Sequence, residues 1–148
     1  MSTLYVIDTN ALICYFAHVF NRPSDLSPKA QNLIKHALST SPVEVKLSIP
    51  SVVFVEIFEK WLRTEEFARQ FHYEVFHLIK QSPNIEIKPV EGEVLENLLN
   101  ISGTLSNHEI HDKIILASAM MLECPLITID RAIVEYVKQN QVIPSTIS

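Results

Sequence analysis

The sequence predicts an α/β fold: a three-layer α/β/α sandwich around a central, mainly parallel sheet of four to five strands. Short β-branched runs recur at residues 4–7, 45–49, 85–87 and 126–129, with a weaker fifth at 142–143, and longer helical periodicity fills the gaps. Strands alternating with helices require crossover connections, hence parallel neighbours covered on both faces. Leu4-Tyr-Val-Ile7 and Leu126-Ile-Thr-Ile129 are nearly continuous apolar runs, as central strands buried on both faces should be. Ile85-Glu-Ile-Lys88 alternates and runs into Pro89, the pattern of an edge. With 148 residues, 47% of them hydrophobic, and only 2 Gly, the chain fits one domain, residues 1–148, with a sizeable core; fibrous and linker-like classes are excluded.

Element by element, the apolar N-terminal run over residues 4–20 is broken by Asp8, Asn10 and His18 and lacks a preceding positive segment. It is therefore expected to be core, not a signal or membrane span. Ser27-Pro28 offers an N-cap followed by Pro at the first helical position. Residues 51–81 read as two helices broken near Thr64, where Glu65 and Glu66 suit the positive N-terminus of the second. Phe54, Phe58, Trp61, Phe67, Phe71, Val75 and Ile79 recur there at three- and four-residue steps, an apolar stripe for the core or for a second protein. Ser106-Asn-His-Glu109 has capping-box spacing and would launch the helix through Asp112 and Ala117. Cys14 and Cys124 sit in apolar runs without a CxxC pair, as buried thiols of a reducing cytosol do.

The net charge of −5 means that a polyanion partner must be met by local charge or by metal. In open parallel sheets, ligands bind beyond the carboxyl ends of the strands. Asp8 and Asp130 follow two strand runs there, and helix capping is the competing reading for each. Glu56 and Asp112 lie among hydrophobic residues, where an unpaired acid is costly.

Ile7-Asp-Thr-Asn-Ala-Leu12, Pro50-Ser-Val-Val-Phe-Val-Glu56, His111-Asp-Lys-Ile-Ile-Leu-Ala-Ser-Ala119 and Pro125-Leu-Ile-Thr-Ile-Asp130 resemble, in order and spacing, the successive motifs of PIN-domain ribonucleases. The resemblance covers nearly the whole chain, and it extends in size to the VapC toxins of type II toxin–antitoxin pairs. It implies a PIN-like fold, hydrolysis of RNA, and Asp8, Glu56, Asp112 and Asp130 as catalytic, metal-holding acids, with Asn10 and Thr128 at the supporting polar positions. It also implies an antitoxin partner, a homodimer and a cytoplasmic protein.

The acid count is chemically coherent. Carboxylates about 5 Å apart repel by ~3 kcal/mol per pair at an effective dielectric near 20, so the set should hold a cation or take up protons. Hard oxygen ligands suit Mg²⁺ or Mn²⁺, which keep waters and bind substrate phosphate. Lys113 and Arg131 each follow a site acid and are candidate RNA phosphate contacts, surface ion pairs being the alternative. His108 and His111 flank the approach to Asp112 and read as helix-entry or hydrogen-bonding residues. Glu59 lies three residues past Glu56 and competes with it; motif position favours Glu56. Two other readings remain: a catalytically silent binding module of the same fold, and a phosphohydrolase with Asp8 as nucleophile, against which Asn10 stands where a second Asp is usual.

Overall fold

The β-branched runs assemble into a five-stranded sheet in which every pairing is parallel. Its strands are β1 (Thr3–Ile7), β2 (Val45–Pro50), β3 (Ile85–Lys88), β4 (Leu126–Ile127) and β5 (Thr146–Ile147), ordered β3-β2-β1-β4-β5. The computed structural model describes residues 2–101, 105 and 108–148. The connections are α1 (Thr9–Tyr15), α2 (Ala17–Phe20) and α3 (Pro28–Ala37) before β2, then α4 (Ser51–Lys60), α5 (Glu65–Phe71), a π-helical turn (His72–Phe76) and α6 (His77–Gln81). After β3 come α7 (Gly92–Leu99) and α8 (Ile110–Leu122), and α9 (Arg131–Asn140) joins β4 to β5. Helices on both faces of the sheet complete the three layers.

β1 is central because it is apolar on both faces: Val6 pairs with Ser48 on one side and with Leu126 on the other, and both Val6 and Ile7 are fully buried. The chain leaves β1 towards β2 and β3, then returns to β4 and β5 on the opposite flank. The strand order therefore reverses between β1 and β4, the position at which doubly wound sheets open a crevice. β3 is an edge, as its alternation predicts.

The expected helix break is present. Thr64 caps α5, its hydroxyl accepting from Phe67 N at 3.1 Å, and Glu65 and Glu66 occupy the first turn. Ser27 caps α3 in the same way, accepting from Ala30 N at 3.1 Å. With only 2 Gly in the chain, three helices end on left-handed non-glycine residues, Asn21, Glu123 and Gln141. The aromatic stripe is mostly core: Phe54, Phe71, Val75 and Ile79 are buried, while Phe58 keeps 47% of its surface exposed. Cys14 and Cys124 are buried and free. Among the described residues, no helix is long and apolar enough to cross a membrane.

Three local expectations are corrected. The strand expected over residues 126–129 ends at Ile127, because the Thr128 hydroxyl accepts from Asp130 N at 3.1 Å and bends the chain into α9. The fifth strand is Thr146–Ile147 rather than residues 142–143. Gln141 ends α9 in a left-handed conformation, and Pro144, which has no N–H, separates the apolar pair from the sheet; Ile143 packs into the core instead. The capping box places Glu109 inside the first turn, whereas α8 starts at Ile110 and Glu109 is itself the cap position, its carboxylate held by Lys60. Ser106 lies outside the described residues.

Ser48 of β2 is 2% exposed and its hydroxyl has no hydrogen-bond partner among the described residues. An unsatisfied buried hydroxyl costs about 1–3 kcal/mol. Ser48→Ala is therefore expected to raise the thermal midpoint by a few degrees, readable by differential scanning calorimetry; a lower midpoint would mean that the hydroxyl is satisfied.

Candidate active site

The site lies where β1 and β4 end side by side. Asp8 follows β1 and caps α1, its Oδ1 accepting from Ala11 N at 2.8 Å. Asp130 caps α9, its Oδ1 accepting from Ala132 N at 2.9 Å and Ile133 N at 3.2 Å. Capping therefore uses one oxygen of each carboxylate and orients the other. Thr128 joins the two: fully buried, it hydrogen-bonds the Asp8 carboxylate and accepts from the Asp130 amide.

Asp112, in the first turn of α8, meets Asp130 and His108. One ligand atom from each of these three residues lies within 4.8 Å of the others, and His108 Nε2 is 3.0 Å from Asp130 Oδ2. Glu56, buried on α4, is near enough for its charge to act on Asp112. Thr9 Oγ1 donates to Glu56 Oε1 at 2.7 Å, and Lys60 Nζ donates to its Oε2 at 3.2 Å. Lys60 also donates to both oxygens of Glu109, at 2.8 and 2.7 Å, and His111 Nδ1 lies 3.3 Å from Glu109. Glu56, Glu109 and His111 thus form a second three-residue group whose ligand atoms lie within 4.8 Å.

Electrostatics separates the acids. Burial pushes Asp8 up to about 7, against the hydrogen bonds from Thr128 and Ala11, and the charges of Asp112 and Asp130 raise it further. Asp112 is also raised, first by burial and then by Glu56 and Asp130, with His108 opposing. Lys60 is raised chiefly by its hydrogen bond to Glu109, which is lowered chiefly by the same bond.

The four acids expected from sequence are therefore near one another but unequal. Asp112 and Asp130 meet directly, Asp8 is coupled to both, and Glu56 is tied to Thr9 and Lys60. Glu59 is exposed while Glu56 is buried, so Glu56 is the acid turned inward. Asn10 is exposed and makes no side-chain hydrogen bond among the described residues; Lys113 is half-buried, and Arg131 is exposed. Thr9 and Lys60 escaped sequence reasoning, although Lys60, four residues after Glu56 on one helix face, carried a usable signal.

The donor set fits Mg²⁺ or Mn²⁺. It is rich in carboxylate oxygen, and Asp8 and Asp112 are held above the usual carboxylate range by burial first and by neighbouring acids second, a load that a bound cation would relieve.

No family model and no curated protein matches the chain. Among solved structures it is similar to VapBC2 from Rickettsia felis bound to a promoter DNA fragment, with a TM-score of 0.62 at 17% identity over 98% of this chain and 96% of that one. FitAcB from Neisseria gonorrhoeae gives 0.65 at 13% identity, covering 97% and 96% of the two chains. The fold is PIN-like. A toxin–antitoxin complex from Klebsiella pneumoniae adds a TM-score of 0.53 at 21% identity, covering 99% and 97%. In this VapC-like PIN fold Asp8 and Asp130 stand at the strand switch point, with Asp112 beside Asp130 and Glu56 coupled to Asp112 by charge.

Proposed function

We propose that the protein is a metal-dependent endoribonuclease and the toxin of a type II toxin–antitoxin pair. The observation that carries this reading is the meeting of Asp112, Asp130 and His108 beside Asp8 at the carboxyl ends of β1 and β4. Asp8, Asp112 and Asp130 would hold Mg²⁺ or Mn²⁺, with Glu56 beside Asp112. When bound, the ion supplies charge neutralisation at the scissile phosphodiester and acidifies a water as the nucleophile. The chain's own groups fix the acids: Thr128 sets Asp8 relative to Asp130, His108 orients the free oxygen of Asp130, and Thr9 with Lys60 anchors Glu56.

The antitoxin part of the reading is supported by the structural neighbours, which are toxin–antitoxin assemblies. Exposed Val55 and Phe58 on α4 offer apolar surface for such a partner or for a second copy.

Melting with and without Mn²⁺ tests the metal, and cleavage of labelled RNA tests the reaction. At about 100 times the dissociation constant, one ion adds ~2.7 kcal/mol, roughly 5–10 °C for a domain of this size. Asp112→Asn is expected to lose both the shift and the cleavage while remaining folded. No shift and no cleavage in wild type would overturn the enzyme in favour of a binding module.

A further inference from the structure

The chain carries a net −5, yet the proposed substrate is a polyanion. Two adjoining cavities are lined by chain neighbours of Asp8 and Asp130. The first, about 130 Å³, is lined by Asn10, two residues after Asp8, and by Arg22, Asp25 and Ile129. The second, about 650 Å³, shares Asp25 and Ile129 with the first and continues past Arg131 to Lys138. The shared residues make the two a continuous groove along α9, and its lining brackets Asp130 in the chain through Ile129 and Arg131.

Its cations are available. Among the described residues, Arg22, Arg131 and Lys138 have no ion-pair partner, although Asp25 and Glu135 line the same groove. Arg22 is nevertheless placed: its guanidinium lies 5.4 Å from the Trp61 ring centroid, a cation–π contact that holds it at the groove mouth without using its hydrogen-bond donors. Arg131 and Lys138 are seven residues apart on α9, about 10 Å along the helix, so their charges are spread along the groove. Three separated, uncommitted cations leading from an acid centre suit an extended phosphodiester backbone.

We infer that this groove binds the nucleotides flanking the cleaved bond, with Arg22 and Lys138 as phosphate contacts on either side of Arg131. The inference rests on the nuclease reading and assigns its RNA strand a path.

The probe is a fluorescently labelled, mixed-sequence oligoribonucleotide, with binding followed by anisotropy over a salt series in metal-free buffer. The Asp112→Asn background keeps it uncleaved. Adding Arg22→Gln and Lys138→Gln is expected to weaken binding on the order of tenfold and to reduce the log–log salt slope by ~1.4. Lys35→Gln with Lys80→Gln changes net charge equally at exposed positions on α3 and α6, and should leave both nearly unchanged. Equal losses in the two pairs, no loss in the groove pair, or no RNA binding at all would each overturn the inference. The wild-type Mn²⁺ melting shift is read separately. A shift together with an inert groove pair removes the path and leaves the nuclease, whereas no shift and no RNA binding remove both.

Discussion

In metal-free buffer at pH 8, Asp8→Asn is expected to melt higher than wild type by on the order of 10 °C and to lose most of the wild type's pH dependence. Asp8 titrates near 7 in the folded chain against 3.8 for the free residue. Below pH ~4 it is protonated in both states, and its protonation stabilises the fold fully. Between about 4 and 7 the unfolded chain releases the proton while the fold retains it, so stability falls as pH rises. Above 7 the buried carboxylate is ionised in the fold as well, and the accumulated loss is of order 4 kcal/mol. Asn carries no charge and remains a good N-cap, so the bond from Ala11 N survives. Superimposable curves of melting temperature against pH for the two proteins would show that Asp8 carries no such burden. Mn²⁺ should narrow the gap, raising wild type and leaving Asp8→Asn in place.

Phe71→Ala is the second large effect, and it tests the core. Phe71 is 2% exposed, with ring centroids 6.0–6.5 Å from Phe20, Phe54, Phe58 and Phe76. Truncating such a ring removes apolar burial and leaves a cavity, typically 3–5 kcal/mol, so a fall in melting temperature on the order of 10 °C is expected. Denaturant unfolding at several protein concentrations checks the cause. A core role gives a loss independent of concentration, whereas a concentration-dependent loss would place Phe71 in a subunit interface. Phe58→Ser, at a half-exposed ring, should cost far less.

These outcomes bear on what could be read from sequence. Thr64 with Glu65 and Glu66 announced a helix start, and Ile85-Glu-Ile-Lys88 an edge, because both signals are local. The last strand was misplaced because Val142 and Ile143 are apolar for the core and not for pairing, a distinction made by Gln141 and Pro144. The Glu109 expectation failed for a different reason: its carboxylate is drawn out of the capping role by Lys60 of another helix. At the site, the post-strand positions of Asp8 and Asp130 pointed to one edge of the sheet. The bond from Thr9 to Glu56, 47 residues away, had no sequence signature, since only folding brings α1 against α4.

The placement of Asp130 also has a consequence in time. Asp8 and Asp130 stand on neighbouring strands but at distant points of the chain, so a ribosome has made Asp8, Glu56 and Asp112 well before Asp130 emerges. β4 is only two residues long and docks between β1 and the equally short β5. Closing so long a loop onto so few pairings is entropically costly. Until it occurs the nascent protein has three of its acids and lacks Thr128, the residue that ties Asp8 to the fourth. The chain is thus chemically incomplete throughout most of its synthesis, and its proposed ribonuclease centre comes into being only as β4 is laid against β1.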